Sequence, residues 1–264
     1  MKIQILGPLT ITRAGVDLTP TAPKQRQLLA LLAVNANEHV GTNQILAELW
    51  ESAPPASAVA AVHTYVMQLR KLLHVREDTD RIGTTEHGYR LHLRTGELDL
   101  QRFSDITTAT QLCLADRDAG TTRRELRRAL GLWRGAMLAD VWTGPLLKDA
   151  VERMERLRSE TVAAAIETEL ELGQHHDLLG ELSGLVRGEP ANERIARLLM
   201  LALYRSGRQA DAIAVFGGLR RALARDHRTP PRRDTERLYT RILAGDPGLE
   251  MPAARLTIDV VMRA

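Results

Sequence analysis

The feature that most constrains the fold is an apolar pattern with helical spacing inside a segment that contains no acidic residue. No Asp or Glu occurs between Ser52 and Arg76. Steps of three and four separate the apolar residues of this segment, which are Val59, Val62, Val66, Leu69 and Leu73. Such a stripe is typical of an amphipathic helix that packs one face on a core. The outward face of this helix is then polar and basic, without a negative charge.

The residues after this helix predict a short β-ribbon. The sequence R-I-G-T-T-E-H-G-Y-R-L-H-L begins at Arg81 and brings Tyr89, Leu91 and Leu93 to one face at a period of two. Gly88 is expected at the tip of the hairpin, because a tight turn requires a positive φ.

The residues before the helix predict a small antiparallel sheet and two further helices. Apolar residues alternate between Ile3 and Ile11, and Ala14-Gly15 is expected to turn the chain into another strand. Leucine spacing predicts a first helix from about Lys24 to Asn35, and Thr42 or Asn43 is expected to cap a second helix. A leading sheet, three helices and a ribbon, in this order, predict a winged helix. The predicted fold class is therefore mainly α with small β.

Beyond residue 98 the pattern is helical almost throughout. Asp99 is expected to cap one helix, and Thr122 and Glu125 match a capping box at the start of another. Trp133 continues the apolar stripe of that second helix and is expected to be buried. Pro145 is expected to begin a long helix.

A weak repeat occupies the last helical part of the chain. Its step of 34 residues pairs Gly173 with Gly207 and Leu182 with Phe216. Glycine at the inter-helix turn and a small residue such as Ala212 at the helix crossing are typical of tetratricopeptide units. The pattern therefore predicts an all-α, tetratricopeptide-like second domain.

Length and composition indicate an ordinary globular chain. The 264 residues exceed the usual size of one domain, so two domains are expected. Cys113 is the only cysteine, which excludes an internal disulfide and a cysteine-based metal cluster. No apolar run is long enough to span a bilayer, and the N-terminal residues do not match a signal peptide. We therefore expect a cytoplasmic protein with no membrane partner.

The sequence lacks the short motifs that mark common enzymes. The patterns G-x-S-x-G, G-x-x-x-x-G-K-[ST] and the dinucleotide-binding fingerprint are absent, and no histidine pair has the H-E-x-x-H arrangement. A non-enzyme is expected, with no catalytic residue, no metal site and no cofactor.

Taken together, these segments resemble the Streptomyces antibiotic regulatory protein family (SARP). In the first half the resemblance rests on I-L-G-P-L, P-K-Q-R-Q-L-L-A-L-L, V-M-Q-L-R-K-L-L and G-Y-R-L. In the second half it rests on A-L-G-L-W-R-G-A-M-L-A-D-V and L-M-L-A-L-Y-R-S-G-R-Q-A-D-A-I-A-V-F. It covers residues 1–249. Two segments depart from the family: R-D-H-R-T-P-P-R-R-D stands where members usually carry E-L-G-I-D-P, and the arginine-rich recognition helix is reduced to M-Q-L-R-K.

The resemblance implies both architecture and function. It implies an OmpR-type winged helix-turn-helix domain at residues 1–95, a helical bacterial transcriptional activation domain at residues 98–249, and a tail at residues 250–264. Such a protein is expected to activate transcription by binding repeated promoter sites as two protomers on double-stranded DNA. The second domain is expected to contact RNA polymerase, including its sigma factor, at genes for secondary (antibiotic) metabolism.

Six side chains of the acid-free helix are the main candidates for DNA contact. Arg70 can donate twice to guanine, Gln68 can bond adenine, and Thr64 can meet a thymine methyl or a phosphate. For Arg70 the alternatives are phosphate neutralisation or a pair with a carboxylate. Lys71 is expected to meet phosphate. The remaining candidates, His63 and Met67, could touch a base or pack against the wing.

Further candidates lie outside this helix. Lys24 and Arg26 stand near the start of the first helix, where free amides and positive charge suit a phosphate. A solvated helix start is the alternative. In the wing, the residues expected to approach DNA are Thr84, Thr85, His87 and Arg90.

One alternative function belongs to a different class. The net charge is only +3, and residues 1–95 hold ten Lys/Arg against eight Asp/Glu. The chain could then be a helical scaffold for proteins whose winged helix no longer binds DNA. Residues 1–95 contain a complete sheet, three helices and a wing, so this segment is expected to fold alone.

Overall fold

The computed structural model describes residues 1–73, 81–112, 118–226 and 228–250. Cys113 and the tail from residue 251 lie outside the described residues. Contacts divide the chain into two compact units. One comprises Met1–Asp116 with Arg124–Val162, and the other comprises Arg117–Arg123 with Ala163–Ala264.

The first unit begins with a three-stranded antiparallel sheet. Its strands are β1 (Lys2–Gln4), β2 (Thr10–Arg13) and β3 (Val16–Asp17), in the order β1-β2-β3. The turn between β2 and β3 has positive φ at Ala14 and Gly15, which confirms the predicted turn.

Three helices follow the sheet: α1 (Pro23–Val34), α2 (Thr42–Trp50) and α3 (Ala58–Leu73). Gly41 occupies the N-cap position of α2, and Thr42 is the first residue of the helix. The Gln44 side chain accepts a hydrogen bond from the Gly41 amide (2.8 Å). The Thr42 hydroxyl instead donates to the carbonyl oxygen of His87 (3.1 Å). The prediction that Thr42 or Asn43 caps α2 is therefore wrong.

The apolar stripe of α3 is buried, with one exception. Val62, Val66, Leu69 and Leu73 are buried as predicted, whereas Val59 is 46% exposed. Ala58 takes the inward position instead: it lies four residues before Val62 and shares its face, whereas Val59 is rotated from Ala58 by about 100°.

The predicted ribbon is present as a three-stranded sheet. Its strands are β4 (Val40–Gly41), β5 (Ile82–Thr85) and β6 (Gly88–Leu91), in the order β4-β6-β5. Tyr89, Leu91 and Leu93 are buried, as predicted. Gly88 begins β6 and pairs with Gly41, where a side chain would collide with the carbonyl oxygen of Val40. Close approach of β4, and not a positive φ at the tip, therefore requires glycine here.

Helices form the rest of the first unit. They are α4 (Asp99–Leu112), the part of α5 (Ala119–Leu130) from Arg124 onward, and the start of α6 (Pro145–Glu171), which Pro145 begins as predicted. The prediction of a capping box at Thr122 is wrong, because α5 begins at Ala119. The Asp118 carboxylate accepts a hydrogen bond from the Thr121 amide (3.0 Å). Trp133 follows α5 and is half-buried, with its ring edge-on to Phe103 at 5.5 Å between centroids.

A single apolar core joins the winged helix to the first part of the helical half. Residues after position 95, including Leu98, Phe103, Met137 and Leu147, belong to the same buried cluster as the core of the sheet and of α1. The carboxylate of Asp99 accepts hydrogen bonds from the amides of Ile5 (2.9 Å) and Leu6 (3.0 Å). Burial raises the pKa of Asp99, and the amide hydrogen bonds oppose this effect.

A second buried carboxylate connects α2 with α6. Glu48, which is 1% exposed, accepts hydrogen bonds from the amides of Gly144 (2.6 Å), Leu146 (2.9 Å) and Leu147 (3.1 Å). These amides precede or belong to the first turn of α6, where intrahelical partners are missing and the helix dipole favours a negative charge. Glu48 thus caps a helix 96 to 99 residues away in the sequence.

This packing argues against independent folding of residues 1–95. A fragment that ends there would expose the apolar residues that Phe103 and Leu147 cover, and would lack the three amides that donate to Glu48. We therefore replace that expectation: the smallest stable piece should extend through the first turns of α6.

The second unit contains the predicted helical repeats. Besides the start of α5 and the end of α6, its helices are α7 (Leu179–Gly188), α8 (Glu193–Arg205), α9 (Gln209–Asp226) and α10 (Arg233–Leu243), followed by a 3-10 turn, Pro247–Leu249. Gly173 and Gly207 have nearly equal φ values of 79° and 73°, which confirms that they occupy equivalent turns. Ala212 is fully buried, and the ring of Phe216 stacks on Tyr239 with centroids 3.9 Å apart.

The segment that departs from the family pattern has its own anchor in the second unit. Glu193, the first residue of α8, accepts from the amide of Arg232 (2.8 Å) and from the hydroxyl of Thr235 (2.6 Å). One carboxylate thereby fixes the proline-containing connection between α9 and α10.

Within the described residues, none of the helices is both long and apolar enough to cross a membrane.

We expect Glu48→Ala to lower the free energy of unfolding of the full chain by roughly 3–5 kcal/mol, because three buried amides lose their acceptor. Urea denaturation followed by circular dichroism measures this loss. Glu152→Ala is the matched control, because Glu152 is an exposed α6 carboxylate whose Arg156 partner lies 3.9 Å away. Equal stabilities of the two variants would contradict the capping role of Glu48.

A pH-dependent contribution is expected from Glu97. Burial raises the pKa of Glu97, but hydrogen bonds from the Arg81 guanidinium and the Arg94 amide outweigh burial, so its pKa lies below the usual 4.5. Stability from this group is therefore present above about pH 4.5 and lost as the pH falls through the folded-state pKa. Glu97→Gln should destabilise the chain at pH 7, and the difference from wild type should shrink toward pH 3. Urea unfolding at both pH values checks this, with the exposed Glu86→Gln as control; a difference that persists at pH 3 would contradict it.

Candidate nucleic-acid interface

The exposed face of α3 is continuous and has no acidic residue. Its exposed side chains follow helical spacing and comprise Ala60, His63, Thr64, Met67, Gln68 and Lys71, together with Val59 at the first turn. Five of these are side chains that the sequence predicts for DNA contact. Lys71 is exposed and has no ion-pair partner among the described residues. The face offers one cation, several hydrogen-bonding groups and a central methionine.

Arg70 lies beside this face and contacts the wing. Its Nε donates to the carbonyl oxygen of Ile82 (2.8 Å), and its Nη2 donates to the hydroxyl of Thr84 (2.8 Å). Burial raises the pKa of Tyr89, and the nearby positive charge of Arg70 opposes this shift. One of the two guanidinium edges that could make a bidentate contact with guanine, Nε with Nη2, is therefore already used inside the protein.

The wing tip and the start of α2 enclose a cleft next to α3. The cleft of about 440 Å³ is lined by Gly41 to Gln44, by His63 and by Thr84 to Tyr89. The Thr42 amide donates to the His87 carbonyl oxygen (2.8 Å), which fixes the tip against α2. The side chain of His87 is exposed.

Two residues at or beside this cleft are not among the predicted DNA contacts. His39 Nδ1 lies 2.7 Å from the Thr85 hydroxyl, so the side chain of Thr85 is engaged inside the wing. Asn43 is exposed at the first turn of α2. The positive end of the helix dipole at this turn suits a phosphate. In the sequence, Asn43 belongs to the polar pair Thr42-Asn43, which predicts only a helix cap.

The two cations of α1 serve internal contacts. Lys24 donates to the carbonyl oxygen of Leu49 at the end of α2, and its Nζ lies 5.6 Å from the centre of the Trp50 ring. Arg26 pairs with Asp140 and donates to the carbonyl oxygen of Pro20 (3.1 Å). The structure thus gives both side chains a structural role and does not bring them to the exposed face of α3.

The other residues predicted to contact DNA differ in their exposure and in their hydrogen bonds inside the protein. Gln68 accepts a hydrogen bond from the Gln25 side chain (2.5 Å), and the Thr64 hydroxyl donates to the Ala60 carbonyl oxygen (3.0 Å). Arg90 is half-buried, and its Nε is enclosed without a hydrogen-bond partner among the described residues. Met67, at 62% exposure, is the most open large apolar side chain of α3. The described residues contain no group of three His, Cys, Asp or Glu that could hold a metal ion.

Comparisons with known protein families match both halves of the chain. The family "Transcriptional regulatory protein, C terminal" matches residues 15–91, and the family "Bacterial transcriptional activator domain" matches residues 98–243. The second match alone covers more than half of the 264 residues.

Similar proteins occur among regulators of Streptomyces and Mycobacterium. The chain is 38% identical over 256 residues to regulatory protein AfsR of Streptomyces coelicolor, and it spans only 25% of that protein's length. It is 34% identical over 266 residues to regulatory protein DnrI of Streptomyces peucetius, where it spans 98% of the length.

A solved structure shares the architecture. Mycobacterium tuberculosis EmbR, in complex with a low-affinity phosphopeptide, matches with a TM-score of 0.87 and 32% sequence identity, over 92% of this chain and 65% of EmbR. The two family matches in this order, the near full-length similarity to DnrI and the shared architecture show that the chain belongs to the Streptomyces antibiotic regulatory protein family of transcriptional activators.

Proposed function

We propose that this protein binds promoter DNA in a sequence-specific manner through α3 and the wing. The observation that carries this proposal is the exposed face of α3, which is continuous, free of acidic residues and flanked by a wing that hydrogen bonds hold in place. An α-helix fits the major groove, where base edges present distinct donor, acceptor and methyl patterns. The proposed activity is recognition and not catalysis.

The proposed activation mechanism involves two protomers and RNA polymerase. Promoter repeats one helical turn apart would place two winged helices on one face of the duplex. The second, tetratricopeptide-like unit supports a protein-binding role, since stacked helical hairpins present extended surfaces to partners. We assign to this unit the contact with RNA polymerase and its sigma factor.

Further proposals concern the domain boundaries, the regulated genes and the compartment. We retain residues 1–95 as the DNA-binding segment and residues 98–249 as the activation segment in the functional sense, although their cores are shared. Similarity to DnrI and AfsR supports genes of secondary metabolism as targets. Promoter DNA as ligand implies a cytoplasmic protein.

Lys71→Ala tests the proposed interface. Loss of one phosphate contact should weaken binding to all sequences and should lower the slope of log affinity against log salt by about 0.9. Fluorescence anisotropy of the full chain measures this at several salt concentrations. The probe is a set of duplexes that the wild-type chain selects from a pool with a randomised centre.

Lys148→Ala is the matched control for this measurement, because Lys148 is an exposed lysine on α6, away from α3. It should bind DNA with the wild-type slope. A wild-type chain that binds no duplex in a salt-dependent manner would contradict DNA binding and would support the scaffold function. Equal slopes for both variants would place the interface elsewhere.

In vitro transcription with purified RNA polymerase tests activation. A selected site placed upstream of a promoter should raise transcript yield with the full chain. A chain that binds the site without raising yield would contradict polymerase recruitment and leave DNA binding intact.

A further inference from the structure

We infer that α3 recognises thymine methyl groups through an apolar strip of Ala60, Thr64 and Met67, while Arg70 is a positioning residue that holds the wing. This inference rests on the proposed DNA-binding function, and it names the base feature that the site selects. It also gives Arg70 a different role from the guanine contact that the sequence predicts.

The hydrogen bonds of Arg70 occupy one edge of its guanidinium and hold it against the wing. A bidentate contact with guanine requires two adjacent N–H groups of the guanidinium aimed at O6 and N7. In Arg70 one such pair, Nε and Nη2, donates to Ile82 and Thr84 of the wing at 2.8 Å each. A base contact through this edge would break both hydrogen bonds and release β5 from α3.

Arg70 is well suited to set the position of the wing. Its two acceptors lie at the first and third residues of β5, and β5 pairs with β6 along its whole length. The planar guanidinium fixes direction as well as distance, which a lysine in its place could not do. Arg70 therefore controls where the wing tip lies relative to the face of α3.

Three side chains form the apolar strip on α3. Ala60, Thr64 and Met67 are separated by steps of four and three, so they share one face of the helix. The Thr64 hydroxyl donates to the Ala60 carbonyl oxygen (3.0 Å), which turns it back onto the helix and leaves its methyl group for contact. Met67 is exposed at the centre of the acid-free face.

The dimensions of the strip match a short run of base pairs. Seven residues separate Ala60 from Met67, which corresponds to about 10 Å along the helix axis. This length spans about three base-pair steps of 3.4 Å. Only thymine presents a methyl group in the major groove, and small apolar side chains are its usual partners. The neighbouring polar side chain, Gln68, is held by Gln25 and is less available.

Uracil substitution tests the strip directly, because uracil lacks only the 5-methyl group. Duplexes selected by the wild-type full chain from a randomised pool serve as probes, with each thymine replaced in turn. Affinity should fall about four-fold at one to three adjacent positions, the value of one buried methyl group. In Met67→Ala the loss at one of these positions should disappear, whereas Val16→Ala, an exposed apolar residue of β3, should keep the wild-type profile.

Replacement of guanine by 7-deazaguanine in the same duplexes tests the alternative. This base lacks the N7 acceptor and should leave affinity unchanged at every position that Arg70 could reach. A loss at a guanine that vanishes in Arg70→Ala, together with no effect of uracil, would overturn the inference while DNA binding stands. No salt-dependent binding by the wild-type chain would overturn the proposed function, and the inference with it.

Footprinting separates a positioning role of Arg70 from a general loss of stability. In Arg70→Ala, hydroxyl-radical protection on the wing side should be lost, while protection where α3 lies and the uracil profile should remain. Thr84→Val removes one acceptor of Arg70 and should weaken wing protection in the same direction. Uniform loss of both protections, with a lower melting temperature, would overturn the positioning role.

Discussion

The capping of α6 by Glu48 is the constraint on which the rest of the first unit depends. Its carboxylate, on α2, accepts hydrogen bonds from three amides at the start of α6, nearly a hundred residues later in the sequence. A buried carboxylate without donors is costly, so α2 and α6 each require the other. Asp99 has a similar role at the end of β1, where its carboxylate accepts hydrogen bonds from the amides of Ile5 and Leu6. The DNA-binding helices are thereby built onto the activation region.

Hydrogen bonds inside the protein also engage cations that composition alone would assign to DNA. Five of the ten Lys/Arg in residues 1–95 donate to acceptors inside the first unit, namely Arg13, Lys24, Arg26, Arg70 and Arg81. Counting charges therefore overestimates the attraction to phosphates, which depends on the cations that remain accessible. Among the described residues, α3 keeps one exposed cation, Lys71, on a polar and partly apolar face.

Local patterns predicted the elements well, and distant partners account for what they missed. Periodicity identified the three helices, the wing and the buried Tyr89 and Leu91, since burial of one face imposes a period on the sequence. It failed at Val59, because steps of three and four from Val62 both continue the stripe and the structure buries Ala58 and not Val59. It could not indicate that Arg70 donates a hydrogen bond to the wing or that Lys24 donates one to the end of α2. Both acceptors are backbone carbonyl oxygens of distant residues, which side-chain periodicity does not report.

The absence of acids between Ser52 and Arg76 takes on a different meaning in the fold. In the sequence it indicates a surface that tolerates phosphate. In the structure, a carboxylate on α3 beside Arg70 would also compete with the Ile82 carbonyl and the Thr84 hydroxyl for the guanidinium, because a charged acceptor forms the stronger hydrogen bond. The wing would then lose the two contacts that fix it. An acid-free helix thus serves both the ligand face and the internal placement of the wing, and a single acidic substitution on α3 would affect both.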